Sequence, residues 1–420
     1  MKTFRLLPLF VAVGTGLALP VSAQNLVDLY DAALTYDAAF QSAKSQYDAT
    51  LAKADQAKAA ILPTAGLSMG ANATNLDNTT PGLSSRTFNN QTATLSASQP
   101  LYRPANRLSF EQGMKQIDSA HAQLMGAGQD LIVRVSQAYF DVLAAQDNLA
   151  FVLAQKSAVS EQLASAKRNF EVGTSTITDT REAQARFDLV TAQEIAATND
   201  LQVRKIALDQ LVGKTNAQPK AVALPVSLPA LIPSNVSTWV QQSQDQHPAI
   251  KQSEIALEVA KLETRKAQAG HKPTLDVTGA YSISKNSGSS ITGADFRTNA
   301  ATVGLSFNLP LFAGYAIQNR VKETLSLEEK ARHDLEGIRR AVAQGTRTAY
   351  FGVLSGQGQV KALEAAEASS QSALDANKLG YQVGVRINID VLNSQSQLFD
   401  TKAKLAKARY DVLIGGPGVN

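Results

Sequence analysis

Proline is distributed so unevenly in this chain that it dictates the architecture before any other residue is read. Of 14 prolines, none lies between Pro104 and Pro219 and none between Pro310 and Pro417. Proline removes a backbone donor and clashes with the preceding helical turn. Two proline-free tracts of more than 100 residues are therefore free to form very long helices. Pro219, Pro225, Pro229 and Pro233 crowd into Thr215–Ser237, which reads as an extended linker between two halves.

The halves are copies of each other. A shift of 211 residues aligns 137–200 with 348–411 at 16 identities in 64 positions. The matches include Ala138-Tyr139-Phe140 with Ala349-Tyr350-Phe351, Val172-Gly173 with Val383-Gly384, and Asp179 with Asp390. A shift of 210 aligns Pro63-Thr64 with Pro273-Thr274 and Pro100 with Pro310. A tandem duplication explains this pattern, and a repeat decides architecture before single residues do.

Two periodicities alternate within each copy. Val135, Tyr139, Val142, Leu149, Val152, Val159, Leu163, Ala166 and Phe170 recur at steps of three, four and seven, the seam of a coiled coil. The second copy keeps the seam with Tyr350, Val353, Val360, Leu363, Leu374 and Tyr381. Period two takes over at Leu275, Val277, Gly279, Tyr281 and Ile283, and again at Ala301, Val303, Leu305, Phe307 and Leu309, with small or polar residues between them. Weaker versions occupy Leu67–Ala73 and Ala93–Leu101, and the polar stretches Asn75–Arg86 and Ser287–Arg297 divide each pair. Such alternation over about 9–11 residues suits a tilted strand crossing a bilayer.

Export is written at the start of the chain. Lys2 and Arg5, an apolar run from Leu6 to Leu19, and Val21-Ser22-Ala23 make a secretory signal peptide. The expected mature chain begins at Gln24, and losing Lys2 and Arg5 lowers the net charge from +4 to +2. That small balance gives no support to a nucleic-acid partner. After Ala23 no run approaches the ~18 apolar residues of a membrane-spanning helix. The remaining way across a membrane is a β-barrel. Four strands cannot close one, so several chains would share it: eight strands from a dimer or twelve from a trimer, between which periodicity does not choose.

The expected organisation is a signal peptide at 1–23 and a first structural repeat at 24–214, with strands near 64–76 and 87–101. A Pro-rich linker at 215–236 follows, then a second repeat at 237–415 with strands near 274–286 and 298–310, and a tail at 416–420.

Certain stretches carry a family resemblance. They are Ala267-Gln268-Ala269-Gly270-His271-Lys272-Pro273-Thr274-Leu275-Asp276, Val303-Gly304-Leu305-Ser306-Phe307-Asn308-Leu309-Pro310, and above all Tyr381-Gln382-Val383-Gly384-Val385-Arg386-Ile387-Asn388-Ile389-Asp390-Val391-Leu392. The first-copy partner of the last is Phe170-Glu171-Val172-Gly173-Thr174-Ser175-Thr176-Ile177-Thr178-Asp179. Over essentially all of its mature length the chain resembles the TolC-type outer-membrane efflux proteins. The resemblance implies a mainly α protomer with transmembrane β-strands. Three protomers would form a 12-stranded outer-membrane barrel continued by a periplasmic α-helical tunnel. It also implies an exit duct for efflux or type I secretion, set in outer-membrane lipid and working with a periplasmic adaptor (membrane fusion) protein and an inner-membrane transporter.

The tips of the helical hairpins hold the candidate site. Gly173 and Gly384 sit where a long helix reverses, a place suited to glycine's access to positive φ. Asp179 is able to accept from the Tyr381 hydroxyl and to pair with the planar fork of Arg386. By resemblance, Thr178, Asp179, Tyr381 and Arg386 form a gate latch, and Gly173, Thr174, Gly384 and Val385 dock the adaptor. Asp390 would line the pore as a ring of carboxylates favouring cations. Asn393 stands where the family's best-known gate carries a second aspartate, so a weaker cation preference is expected.

Other chemistry finds little support. With no cysteine in the chain, thiolate metal sites, disulfides and cysteine nucleophiles are excluded. Gly66-Leu67-Ser68-Met69-Gly70 matches the hydrolase elbow formally, but that motif needs a strand, a turn and then a helix. Gly213-Lys214-Thr215 ends a helix instead of opening one, unlike a phosphate loop. His121, His247, His271 and His333 lack the spacing of a helical metal site. No catalytic residue, cofactor or metal is therefore expected. The alternative reading is a soluble periplasmic coiled-coil scaffold or adaptor-like protein.

Overall fold

The computed structural model describes residues 24–77, 85–222, 228, 230–289 and 293–416. The expected signal peptide at 1–23, the centres of both polar strand loops, linker residues 223–227 and 229, and tail residues 417–420 lie outside them.

The repeat expected from sequence is visible as the same order of elements, met twice. Helices α1 (Leu26–Tyr36) and α2 (Ala38–Ala59) lead into strands β1 (Thr64–Leu76) and β2 (Arg86–Tyr102), then α3 (Pro104–Glu171) and α4 (Ile177–Val212). The second round is α5 (Val236–Gln246), α6 (Pro248–Ala269), β3 (Thr274–Ser287), β4 (Asp295–Asn308), α7 (Ala316–Gln382) and α8 (Asn388–Ile414). Strand β4 starts and ends slightly earlier than the alternation suggested, because the pairing reaches back to Asp295 opposite Ser287. Among the described residues no helix is long and apolar enough to cross a membrane.

The helices follow their local signals. Pro104 opens α3 and Pro248 opens α6, at first-turn positions where the missing N–H costs nothing. Helix α3 then runs 68 residues, about 100 Å at 1.5 Å per residue. Asn25 and Asp28 close α1 with a capping box. Gly213, at φ 69, ends α4, which is the helix stop expected there.

The four strands form one antiparallel sheet in the order β1-β2-β3-β4, so β1 and β4 are unpaired edges within one chain. Ser68 lies mid-strand in β1 and donates to the Thr94 carbonyl, with no helix after it. The odd-numbered face carries Leu67, Leu95, Tyr281, Val303, Leu305 and Phe307, all exposed. The apolar core lies instead in the helices. Leu29, Leu131, Val135, Val142, Leu143, Leu208 and Val212 bury together where α1, α3 and α4 meet, and Tyr410 of α8 joins them. Beside this core Arg134 clamps Asp37 at 2.8 and 3.0 Å, and the Tyr410 hydroxyl donates to Asp147 at 2.7 Å.

Candidate functional site

Far from the sheet, α3 turns into α4 and α7 turns into α8, and the two turns share a backbone. Gly173 (φ 77) and Gly384 (φ 83) both adopt the left-handed conformation. The Thr174 amide reaches back to the Asn169 carbonyl at 2.8 Å, and the equivalent Val385 amide reaches the Gly380 carbonyl at 2.9 Å. This closure satisfies carbonyls that the helix end leaves free. It leaves Val172, Val383, Val385 and Ile387 on the surface.

Beyond the glycines the copies diverge, and side-chain chemistry explains how. Thr176 precedes α4, accepting from the Asp179 amide at 3.2 Å while the Asp179 carboxylate accepts from the Thr176 amide at 3.0 Å. The Ser175 and Thr176 hydroxyls also donate to that carboxylate, at 2.7 and 2.8 Å. Partial burial pushes the Asp179 pKa up, but these hydrogen bonds outweigh it and hold the carboxyl below its usual range. In the second copy Ile387 replaces Thr176 and has no hydroxyl to cap with, and Arg386 replaces Ser175. Asp390, the partner of Asp179 in the repeat, therefore faces Arg386 at 3.6 Å.

Of the four latch residues expected from sequence, one protomer joins none directly to another. The Tyr381 hydroxyl accepts from Asn169 at 3.3 Å, Thr178 is exposed, and Asp179 is held within its own cap. What unites the two tips is Asn388, which is fully buried. It accepts from Gln162 of α3 and donates to the Asp179 carbonyl at 3.3 Å. Next to it Val159, Leu163, Ala166, Ala183, Val190 and Leu392 form an apolar seam. Arg186 of α4 donates to Asn393 at 2.7 Å, giving that departure from the family pattern a definite partner. Sequence reasoning missed Ser175, Thr176, Asn169 and Asn388. Thr176 was legible from the Thr-x-x-Asp capping pattern it forms with Asp179; Ser175 stands outside that pattern, and Asn169 and Asn388 depend on which helices meet.

A sequence profile described as outer membrane efflux protein matches residues 29–214 and 239–415, one block per repeat. The chain belongs to the outer membrane efflux protein family. The outer membrane protein TolC of Vibrio cholerae is 32% identical over 414 residues, spanning 98% of this chain and 93% of that protein. The alkaline protease secretion protein AprF of Pseudomonas aeruginosa is 29% identical over 400 residues, covering 93% and 82% of the two chains. A membrane protein of known structure from Pseudomonas aeruginosa superposes with a TM-score of 0.81 at 20% identity, over 93% of this chain and 92% of that one. The mainly α protomer with its four-stranded sheet is thus the fold of this family's channels. The protein resides in the outer membrane and serves as an exit duct for efflux and type I secretion.

Proposed function

We propose that three copies of this chain form the complete duct: a 12-stranded barrel in outer-membrane lipid, continued by a helical tunnel and closed at the hairpin tips. One observation carries the reading. A sheet with an exposed apolar face and two unpaired edges stands at one end of helices about 100 Å long. Open edges and unpaired backbone groups are costly in lipid, and pairing β4 of one copy with β1 of the next removes both. The two repeats, 24–214 and 237–415, would then alternate around the axis, with 215–236 as the linker between them. Conduction is passive, with no catalytic step and no cofactor.

The tips are the proposed gate. Asp179 and Arg386 are not joined within one protomer, so their pairing is assigned to the boundary between neighbouring copies, with Thr178 and Tyr381 beside it. Exposed ion pairs contribute about 0.2–1 kcal/mol and neutral hydrogen bonds about 1. Three copies would hold the closed state by a few kcal/mol, which a partner favouring the open form is able to reverse. The surface valines at the turns, together with Gly173, Thr174, Gly384 and Val385, suit docking of a periplasmic adaptor that brings the inner-membrane transporter. Asp390 would supply the acidic ring.

Single-channel conductance in a planar bilayer tests the reading. The expected result is a low-conductance wild type and a several-fold larger conductance for Arg386→Ser. Folded protein recovered from the aqueous periplasmic fraction, forming no pores, would favour a soluble scaffold instead.

A further inference from the structure

The apolar face of the sheet ends in charge at the rim farthest from the helices. Strand register aligns side chains into rows across the four strands. One row holds Leu67, Leu95, Tyr281 and Ala301, and the next row outward holds Met69, Ala93, Ile283 and Asn299. The row beyond that is Ala71, Gln91, Lys285 and Arg297. Lys285 and Arg297 are direct cross-strand partners, and both are exposed.

Two cations placed directly opposite one another destabilise an antiparallel pair. Nothing described in the chain offsets them. Arg297 Nε donates to the neutral Asn299 side chain at 3.3 Å. Among the described residues neither cation forms an ion pair, and Asp295, the acid two residues farther out on the same face, pairs with neither. The undescribed loop residues 78–84 and 290–292 include no aspartate or glutamate.

Height across the bilayer indicates what the pair meets. Phe307, at the helix end of the same face, lies ten residues along β4 from Arg297. At ~3.4 Å per residue and a tilt of ~45° that is about 24 Å along the membrane normal. The apolar band of an outer-membrane barrel is about 25 Å tall. If the sheet is a barrel wall, as the duct reading holds, the two cations stand at the level of the outer-leaflet headgroups. Beside Lys285 the small side chains of Ala71 and Ala93 leave a shallow trough of about 500 Å³, lined also by Met69, Gly70 and Gln91. The trough is continuous with the apolar rows, so an occupant has an apolar part as well as an anionic one.

We propose that Lys285 and Arg297 bind the phosphate of an outer-leaflet lipid headgroup, one site per protomer. The guanidinium fork matches phosphate geometry and the ammonium adds a point charge. The trough would take the adjoining sugar or acyl segment.

Native mass spectrometry of the full-length, detergent-solubilised protein tests this with bisphosphoryl lipid A as the probe and its fully dephosphorylated form as the control. The wild type is expected to bind the phosphorylated lipid at least tenfold more tightly. Lys285→Gln with Arg297→Gln should lower that affinity at least fivefold, while Lys285→Arg keeps it. Equal binding by the double variant, or equal binding of the two lipids, overturns the proposal. Inorganic phosphate binding as tightly as the lipid also overturns it, since the site would then be one for a free anion. The double variant should keep wild-type conductance in planar bilayers, which separates lost binding from lost folding. A wild type that forms pores but binds no lipid A defeats this inference alone, whereas one that forms no pores defeats the duct reading with it.

Discussion

Arg386 and Asp390 face each other across the first turn of α8, guanidinium to carboxylate, at 3.6 Å. A group assigned to the latch and a group assigned to the acidic ring are therefore electrostatically linked. Arg386→Ser should do two things together: enlarge the conductance and strengthen the cation preference, because Asp390 loses its counter-charge. Reversal potentials in a salt gradient report the second effect. Asp390→Asn should weaken the preference, and a strong preference that survives this change removes Asp390 from the pore.

Asp179 has a structural task that its repeat partner lacks. Thr176→Ala and Asp179→Ala each break the capping box of α4, at a cost of about 0.5–2 kcal/mol. Ile387→Ala, at the equivalent site, breaks no side-chain cap. Thermal unfolding followed by circular dichroism should lower the melting temperature for the first two variants only. The same loss in all three would show that capping does not matter at these tips.

Acid should weaken the helical core through Asp37. Its hydrogen-bonded pairing with Arg134 holds the carboxyl below its ordinary value, although burial acts in the opposite direction. A depressed folded pKa gives stability that is complete above the unfolded value, about 3.9, and is lost as pH falls through the folded value. Melting temperatures should then change little between pH 7 and 5 on this account and drop below about 4. Asp37→Asn should cost about 1–3 kcal/mol at pH 7 and flatten part of that acid drop.

The tip seam should be sensitive to cavities. Leu392 is fully buried against the α3–α4 hairpin, and Leu392→Ala should destabilise by about 2–5 kcal/mol. Val385→Ala removes an exposed side chain and should leave the melting temperature within error. If adaptor docking uses this tip, Val385→Ala weakens cross-linking to the adaptor without that loss of stability.

Docking at the tips is also testable through the turn itself. Gly384 has open space where a Cβ would stand, but its φ of 83 disfavours any L side chain. Gly384→Val should strain the turn and reduce export. Intact export together with intact adaptor cross-linking would argue that the tip is not a docking site.

Much of this protein was legible in its residues because the determining physics is local. Proline spacing bounded the long helices, period two marked the strands, and duplication announced that every element would occur twice. The capping box at Thr176 and Asp179 and the i, i+4 approach of Arg386 to Asp390 belong to the same class, since each needs only helix geometry to bring its groups together.

Tertiary structure decided the rest, because the partners lie far apart in sequence. Ile177 and Asn388 occupy the same position in the two repeats, yet the isoleucine is exposed and the asparagine fully buried. Composition alone predicts the reverse. Asn388 is buried because α8 begins in the groove between α3 and α4, where Gln162 and the Asp179 carbonyl satisfy its amide. Lys285 and Arg297 likewise look like two ordinary surface cations until strand register sets them opposite each other. Sequence determined which elements form and which face of each is apolar; only the packed chain decided which of those faces meet.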